Sequence, residues 1–478
     1  MTAPFSVFLD FNLPNATTWF YFSFLLAVAL FFKFARLLSI RNWDVITLFL
    51  LVPGLLVVQG ARPTTGPGPD HAAVLAAGLA GQAAGPGGVL GGAATFAQRG
   101  AAALEARRWL WYGYLWLLAG SAYFFCRCLL DLALVQRPAL PPNLNFGGMA
   151  WLAGALLVCL VAVAFRQAER QLQAPARPVE GIHGSHAPVG PEAATLALAR
   201  QWLAPSPGIA SLVAVWCHIA IVLGLILVGG HVFQDYVAGM AAATFYLMLP
   251  YTGLYVGQVQ HALPMALMVW ALAAYRWPMV LGALLGLAAA VSYFPALAMP
   301  VWLSFYRGRG AGRFLLAFLV TAGLCLAGLC LALSESGDLE PILRETAAQT
   351  AWQPWKVPNT EGFWTGIPWA YRLPVALAYL LFVCGTFWWP VPKNFAHALA
   401  LTTAVVIGIQ FWYADQGGVY VLWYLPLLLL LVFRPNLHDR LAPPLLPEAD
   451  WLARAGRRLR RGVRWLVGLP APAPARSE

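Results

Sequence analysis

Charge is what this sequence has least of. Asp, Glu, Lys and Arg make up 10% of its 478 residues, where soluble domains carry about 25%. Water cannot solvate most of such a chain. A single large soluble core is excluded as well, because such cores stop growing at a few hundred residues. Lysine is scarcest, with 3 residues against 27 arginines, and only 19 acids leave a net charge of +11. In a chain this apolar the excess reads as membrane orientation and lipid contact, and nucleic acid is not an expected partner. The seven cysteines, Cys126, Cys128, Cys159, Cys217, Cys325, Cys330 and Cys384, lie in or beside apolar runs. Their odd number and setting argue against a disulfide framework. Cys126 and Cys128 have no His or Cys partner nearby in sequence, so no metal site is expected. No phosphate loop, dinucleotide fingerprint or nucleophile elbow is present, and no cofactor is expected. The opening MTAPFSVFLDFNLPNATTWFYF has no basic region, unlike a cleaved signal peptide.

What the chain has is long apolar runs. Hydrophobic residues make up 60% of it and aromatic ones 13%, with 21 Trp. The runs are Thr18–Leu38, Val45–Val58, Trp109–Leu132, Met149–Ala164, Ile209–Val228, Val237–Leu254, Ala262–Tyr275, Pro278–Tyr306, Phe314–Leu333, Leu373–Trp389, Ala396–Trp412 and Val419–Phe433. Runs near ~20 residues read as membrane-spanning helices and are too long for barrel strands. Trp19, Trp109, Trp111, Trp302, Trp389 and Trp412 sit at run edges, where interfacial aromatic belts fall. The expected fold is therefore an all-α polytopic transmembrane bundle of about 12–13 spans.

Pro278–Tyr306 is too long for one comfortable span, and Pro295 and Pro300 interrupt it. A proline removes a backbone donor and ends or kinks a helix. The stretch reads as two short helices meeting near Ser292–Pro295, which makes thirteen crossings. With the N-terminus outside, thirteen crossings place Lys33, Arg36, Arg41, Arg307, Arg309, Arg313, Lys393 and the arginine-rich tail inside, as the positive-inside tendency requires. Arg166, Arg170, Arg177 and Arg200 fall on the other side. The usage of Arg, Ala and Gly points to a bacterial, cytoplasmic (inner) membrane protein. Residues 1–433 form the bundle, with outer loops 60–108, 166–206 and 334–372. The first of these loops is Gly/Ala/Pro-rich. The third mixes acids with Trp352, Trp355, Trp364 and Trp369 and is expected to form a small cap. Residues 434–478 form a cytoplasmic tail. In it, helix 451–469 places Leu452, Leu459, Val463 and Leu466 opposite six arginines, a pattern that lies flat on an anionic membrane surface.

Polar groups inside a membrane are costly, so each one raises a functional question. The stretch 249–261 joins two runs on the outer side. Tyr251, Tyr255, Gln258, Gln260 and His261 there offer hydroxyl, amide and imidazole groups suited to sugar hydroxyls or a phosphate. They serve equally well as a polar turn with interfacial tyrosines. Candidate acids are Asp10, Asp70 and Asp415. Asp415 shares its turn with Gly417 and Gly418 and lies beyond Gln410, so it either faces a cavity or caps the next helix. Arg127 and Asp131 are four residues apart and read as a structural ion pair. His218 reads as a helix–helix hydrogen bond. The His183-Gly-Ser-His186 segment reads as a solvated loop.

The order from the Gly257-Gln258 turn through Arg276, a Gly-rich short helix, the break at Tyr293-Phe294-Pro295 and Arg307-Gly-Arg-Gly-Ala-Gly-Arg313 resembles the C-type membrane glycosyltransferases, in their mannosyltransferase-like branch. The resemblance covers about residues 237–313. It implies transfer of a sugar from a polyprenyl-phosphate donor to an acceptor on the extracytoplasmic side, with a loop acid as base. The pattern departs where the family carries a basic residue before the proline of the break, since Ser292, Tyr293 and Phe294 stand there. No loop acid has the family's context either. The alternatives are a polytopic transporter or flippase, for which a broken helix is equally apt, and a non-catalytic membrane scaffold.

Overall fold

A computed structural model describes residues 16–61, 89–133, 141–173, 207–336, 362–414, 416–437 and 439–442. These residues form helices and short connections, with no strand element among them. Seven of the helices are long and apolar enough to cross a membrane, and further apolar helices of 10–17 residues pack among them.

The helices are α1 (Ala16–Phe31), α2 (Ile40–Ala61), α3 (Val89–Ala133), α4 (Phe146–Gln173) and α5 (Pro207–Leu227), the last running on through a π turn at Val228–Phe233. Then come α6 (Tyr236–Met248), the short α7 (Pro250–Leu254), α8 (Val259–Ala273) and α9 (Pro278–Val291). A 3₁₀ turn at Phe294–Ala298 leads into α10 (Met299–Phe305), followed by α11 (Ala311–Ser336), α12 (Arg372–Trp388), α13 (Phe395–Trp412) and α14 (Leu425–Phe433). α13 and α14 are sheathed on nearly all sides, while α11 and α12 leave leucines such as Leu324 and Leu381 exposed. The first pair is the core of the bundle and the second its lipid-compatible wall.

Sequence punctuation explains several joints. Ser39 accepts the Asn42 N–H at 3.2 Å and starts α2. Asn394 caps α13 in a capping box with His397. Asp235 caps α6 by accepting the Ala238 N–H at 3.0 Å. Where α5 returns into α6, Gly229 and Gly239 let the two backbones touch, since a Cβ on Gly229 would collide with the Gly239 Cα.

The stretch 278–306 is broken as expected. α9 stops at Val291, where Ser292 turns extended, and the chain restarts at Phe294. It also reverses direction. The Tyr306 hydroxyl at the far end donates to the Tyr275 carbonyl just before α9. A Cβ on Gly282 would meet the Phe314 carbonyl, and one on Gly286 the Phe318 carbonyl, so α9 and α11 run parallel. α10 therefore carries the chain back. Fourteen residues rise about 21 Å, and the parallel α11 runs on to Ser336, so the apex is recessed relative to the end of α11.

Tertiary contacts define two ends. At one, Lys33 reaches Asn143, Arg434 reaches Asp131, Lys393 reaches Ser304, and Arg309 reaches the Ala442 carbonyl. At the other, Phe363 stacks on Trp111, Trp364 donates to the Phe411 carbonyl, and His261 meets Trp423. We call them the basic end and the aromatic end.

Helices extend into all three segments expected as outer loops. α3 begins at Val89, well inside the segment 60–108. α4 runs to Gln173 and α11 to Ser336, each beyond the expected loop start. Helical hydrogen bonding continues past the last apolar residue because alanine, glutamine and arginine are good helix formers. Asp10, Asp70, Asp415, His183, His186 and the tail helix 451–469 lie outside the described residues.

Candidate functional site

The aromatic end gathers side chains that sequence order keeps far apart. α14 is preceded by a 3₁₀ turn at Val421–Trp423, which puts Tyr420 and Trp423 on one side of the chain. Their rings stack at 4.0 Å and 7°. On its other partner Trp423 stacks against Phe294, at the apex of the α9–α10 hairpin, at 4.6 Å and 14°. Tyr413, at the end of α13, closes edge-on against Tyr420 and Trp423. Phe294, Tyr413, Tyr420 and Trp423 are all buried. They make a firm floor of rings, in geometries that aromatic pairs favour.

His261, on the first turn of α8, stands on that floor. Its ring is 5.6 Å from Tyr420 and 5.9 Å from Trp423. The Trp423 Nε1–H donates to His261 Nδ1 at 2.8 Å. An indole N–H can only donate, so Nδ1 is an acceptor and the neutral imidazole carries its proton on Nε2. His261 is thus set up as a hydrogen-bond donor through Nε2. Tyr255 lies edge-on to it at 5.5 Å. Tyr255, Gln258, Gln260 and His261 are each only partly buried, so the polar face is reachable while the floor is not.

Tyr251 does not belong to this face. It is fully buried, and its hydroxyl donates to the Leu48 carbonyl at 2.7 Å, tying α7 to α2. The apolar surroundings of its ring decide its place, and its only polar atom is already used. The expectation that it contacts a ligand is corrected on that ground.

The residues flanking Asp415 do lie at this end. The Ala414 carbonyl and the Gln416 N–H press on Gly362, where a Cβ would stand 2.8 Å and 3.1 Å from them. Gln410, fully buried, accepts the Gly418 N–H through Oε1 at 2.9 Å. Its Nε2 is buried with no partner among the described residues.

The basic end holds a second polar assembly. Arg127 Nε bonds both Asp44 oxygens at 3.1 Å, and its Nη1 bonds Asp131 at 3.0 Å. Arg434 Nη2 closes on the other Asp131 oxygen at 2.6 Å, and the Tyr123 hydroxyl donates to Asp44 at 3.2 Å. The pair Arg127–Asp131 was expected from its spacing; Asp44 and Arg434 were not. All four charges are buried, and two carboxylates balance two guanidiniums, which is how ions persist in a low-dielectric setting. Burial, and then the charge of Arg127, lower the Arg434 guanidinium to about 10. Nearby, Lys393 donates to the Ser304 hydroxyl at 2.8 Å and to the Pro390 carbonyl at 2.9 Å. Burial lowers its ammonium to about 8. His218 makes the expected interhelical bond, with Nδ1 2.7 Å from the Tyr246 hydroxyl.

The seven cysteines are free thiols. Among the described residues no group of three or more His, Cys, Asp or Glu side chains is placed to hold a metal ion. Comparison with known proteins yields no matching family model, no matching characterised protein and no matching solved structure.

Sequence order alone did not reveal Tyr420, Trp423 and Tyr413 as part of this site. The available signal was their spacing after Gly417-Gly418, in a turn already expected to face the same side as 249–261.

Proposed function

We propose that this chain is a polytopic membrane glycosyltransferase that takes a sugar from a polyprenyl-phosphate donor at its aromatic end. The observation that carries the reading is the hairpin α9–α10, whose apex residue Phe294 completes a ring floor beneath His261, with Tyr255 edge-on to that imidazole and Gln258 and Gln260 partly exposed in the same turn. Aromatic faces suit the C–H faces of a sugar ring, while amide and imidazole donors suit its hydroxyls or the donor phosphate. A recessed apex sets this chemistry at the depth where a lipid-linked head group lies.

In the reaction the acceptor hydroxyl oxygen attacks the anomeric carbon of the donor sugar. The bond from that carbon to the phosphate oxygen breaks, and polyprenyl phosphate leaves with the electron pair. The acceptor proton goes to a carboxylate. Asp415 takes that role in this reading, because its flanking residues border the aromatic end. His261 Nε2–H supports the phosphate oxygen on which charge develops. The basic end faces the cytoplasm of a bacterium and the aromatic end faces outward, in keeping with the positive-inside tendency.

Purified protein in lipid, supplied with radiolabelled polyprenyl-phosphate sugars and a membrane extract as acceptor source, tests this. Wild type transfers label, Asp415→Asn abolishes transfer, and His261→Ala lowers it by about a hundredfold. Label that crosses the bilayer with the sugar still on its lipid would instead favour a flippase, for which the break at Ser292 also serves.

A further inference from the structure

At the basic end Arg41 feels the charge of Asp44 but makes no hydrogen bond to it through Nε or Nη2. Asp44 and Asp131 are already engaged by Arg127 and Arg434. Arg41 lies on the first turn of α2 with its guanidinium carbon 4.4 Å from the Phe433 ring centroid. Its Nε and Nη2 are buried and have no hydrogen-bond partner among the described residues. The residue as a whole stays partly exposed, so it sits in the wall of the bundle and not in the sealed core. A buried cation with unmet donors is costly unless an anion or bound water meets it.

A second cation lies beside it. The Lys33 ammonium is held below its ordinary value, first by burial and then by the charge of Arg41. An anion beside both cations relieves the cost that the Arg41 charge places on Lys33. The backbone that carries them is fixed. Asn42, fully buried, accepts the Lys33 N–H and donates to the Lys33 and Arg36 carbonyls, each at 3.0 Å. Asn143 donates to the Ala29 carbonyl at 2.7 Å and accepts from Lys33 Nζ.

The surface around these cations is apolar. Leu37, Leu38, Ile40 and Trp43 are exposed, Leu38 to 84%. Held cations beside exposed aliphatic side chains at the end of a span match the two halves of one molecule, a phosphate group and its acyl chains. A free phosphate would account for the cations but not for the leucines.

We propose that the turn joining α1 and α2 is a binding site for an anionic phospholipid. Its phosphate is held by Arg41 and Lys33, and its acyl chains lie against Leu37, Leu38 and Ile40. The guanidinium supplies the paired donors that phosphate oxygens accept best. The site lies at the opposite end from the aromatic cluster and does not depend on the transfer reading.

The test uses the full chain in nanodiscs of phosphatidylcholine, alone or mixed with phosphatidylglycerol, read by thermal melting and by native mass spectrometry. Phosphatidylglycerol is expected to raise the melting temperature and to remain bound after ejection from the disc. Arg41→Met, which keeps the stem over Phe433, is expected to weaken that retention at least about tenfold. Lys33→Gln, at a more exposed position, is expected to weaken it less and serves if Arg41→Met does not fold. Equal melting in the two lipids, unaltered retention in the folded variants, or full protection by inorganic phosphate in phosphatidylcholine discs would each overturn the proposal.

Discussion

Asp131 accepts from two guanidiniums at once, Arg127 through one oxygen and Arg434 through the other. Replacing it by Asn leaves the buried Arg434 without its carboxylate and Arg127 with Asp44 alone, and the expected loss is about 3–5 kcal/mol, measured as a lowered denaturation midpoint in detergent or lipid. Lys393 carries a pH signature. Burial holds its ammonium at about 8 in the fold, against an ordinary 10.5. Between those values the unfolded chain holds the proton that the folded chain has released, so stability rises with pH across that window. Below about 8 the fold carries the full cost of a buried ammonium. Melting at pH 7 and at pH 9.5 should show wild type gaining on Lys393→Met as pH rises; an equal response in the two proteins would contradict this. At the aromatic end Trp423→Phe keeps the ring stack but removes the N–H that fixes the His261 tautomer. Transfer activity should fall while the melting temperature stays close to wild type.

At the scale of elements, the break in 278–306 is the feature that sequence read best. Pro295 and Pro300 cannot continue a regular helix, and both fall in or after the 3₁₀ turn that starts α10. The closeness of α9 and α11 was not legible. It depends on Gly282 and Gly286, whose absent side chains admit the Phe314 and Phe318 carbonyls of a helix some thirty residues later. Small residues four apart are the usual means by which membrane helices approach, but the pattern does not name the partner. A Cβ on Gly286 would stand 2.6 Å from a backbone oxygen. Gly286→Val should therefore cost about 1–3 kcal/mol or more and open the hairpin. Gly323, whose Cβ would meet nothing within 4 Å, should accept Ala with no loss of stability. Paired melting curves check both.

At the scale of the molecule, the two ends differ in chemistry as charge order implied. Lys33, Arg307, Lys393 and Arg434 converge on one end, while Tyr255, His261, Trp364 and Trp423 converge on the other. The proposed orientation, basic end inward, rests on that division. Arg36→Cys and Arg307→Cys, both exposed, should react with a membrane-impermeant maleimide only after the cell membrane is opened. Trp369→Cys, at an exposed site near the aromatic end, should react on intact cells. The reverse pattern would place the basic end outside and remove the proposed topology.

The sequence alone determined the quantities that are local or additive. Too little charge for water, runs of helix length and prolines that stop helices follow from residue order and solvation. So does the Arg127–Asp131 pair at one helical spacing. The tertiary structure decided which distant groups share one place. It took Tyr251 out of the site by spending its hydroxyl on Leu48, brought Trp423 beneath His261 from 162 positions away, and joined Arg434 to Asp131 across 303. Directional hydrogen bonds and ring stacking act over a few ångströms, and only the packing of the helices sets which residues come that near.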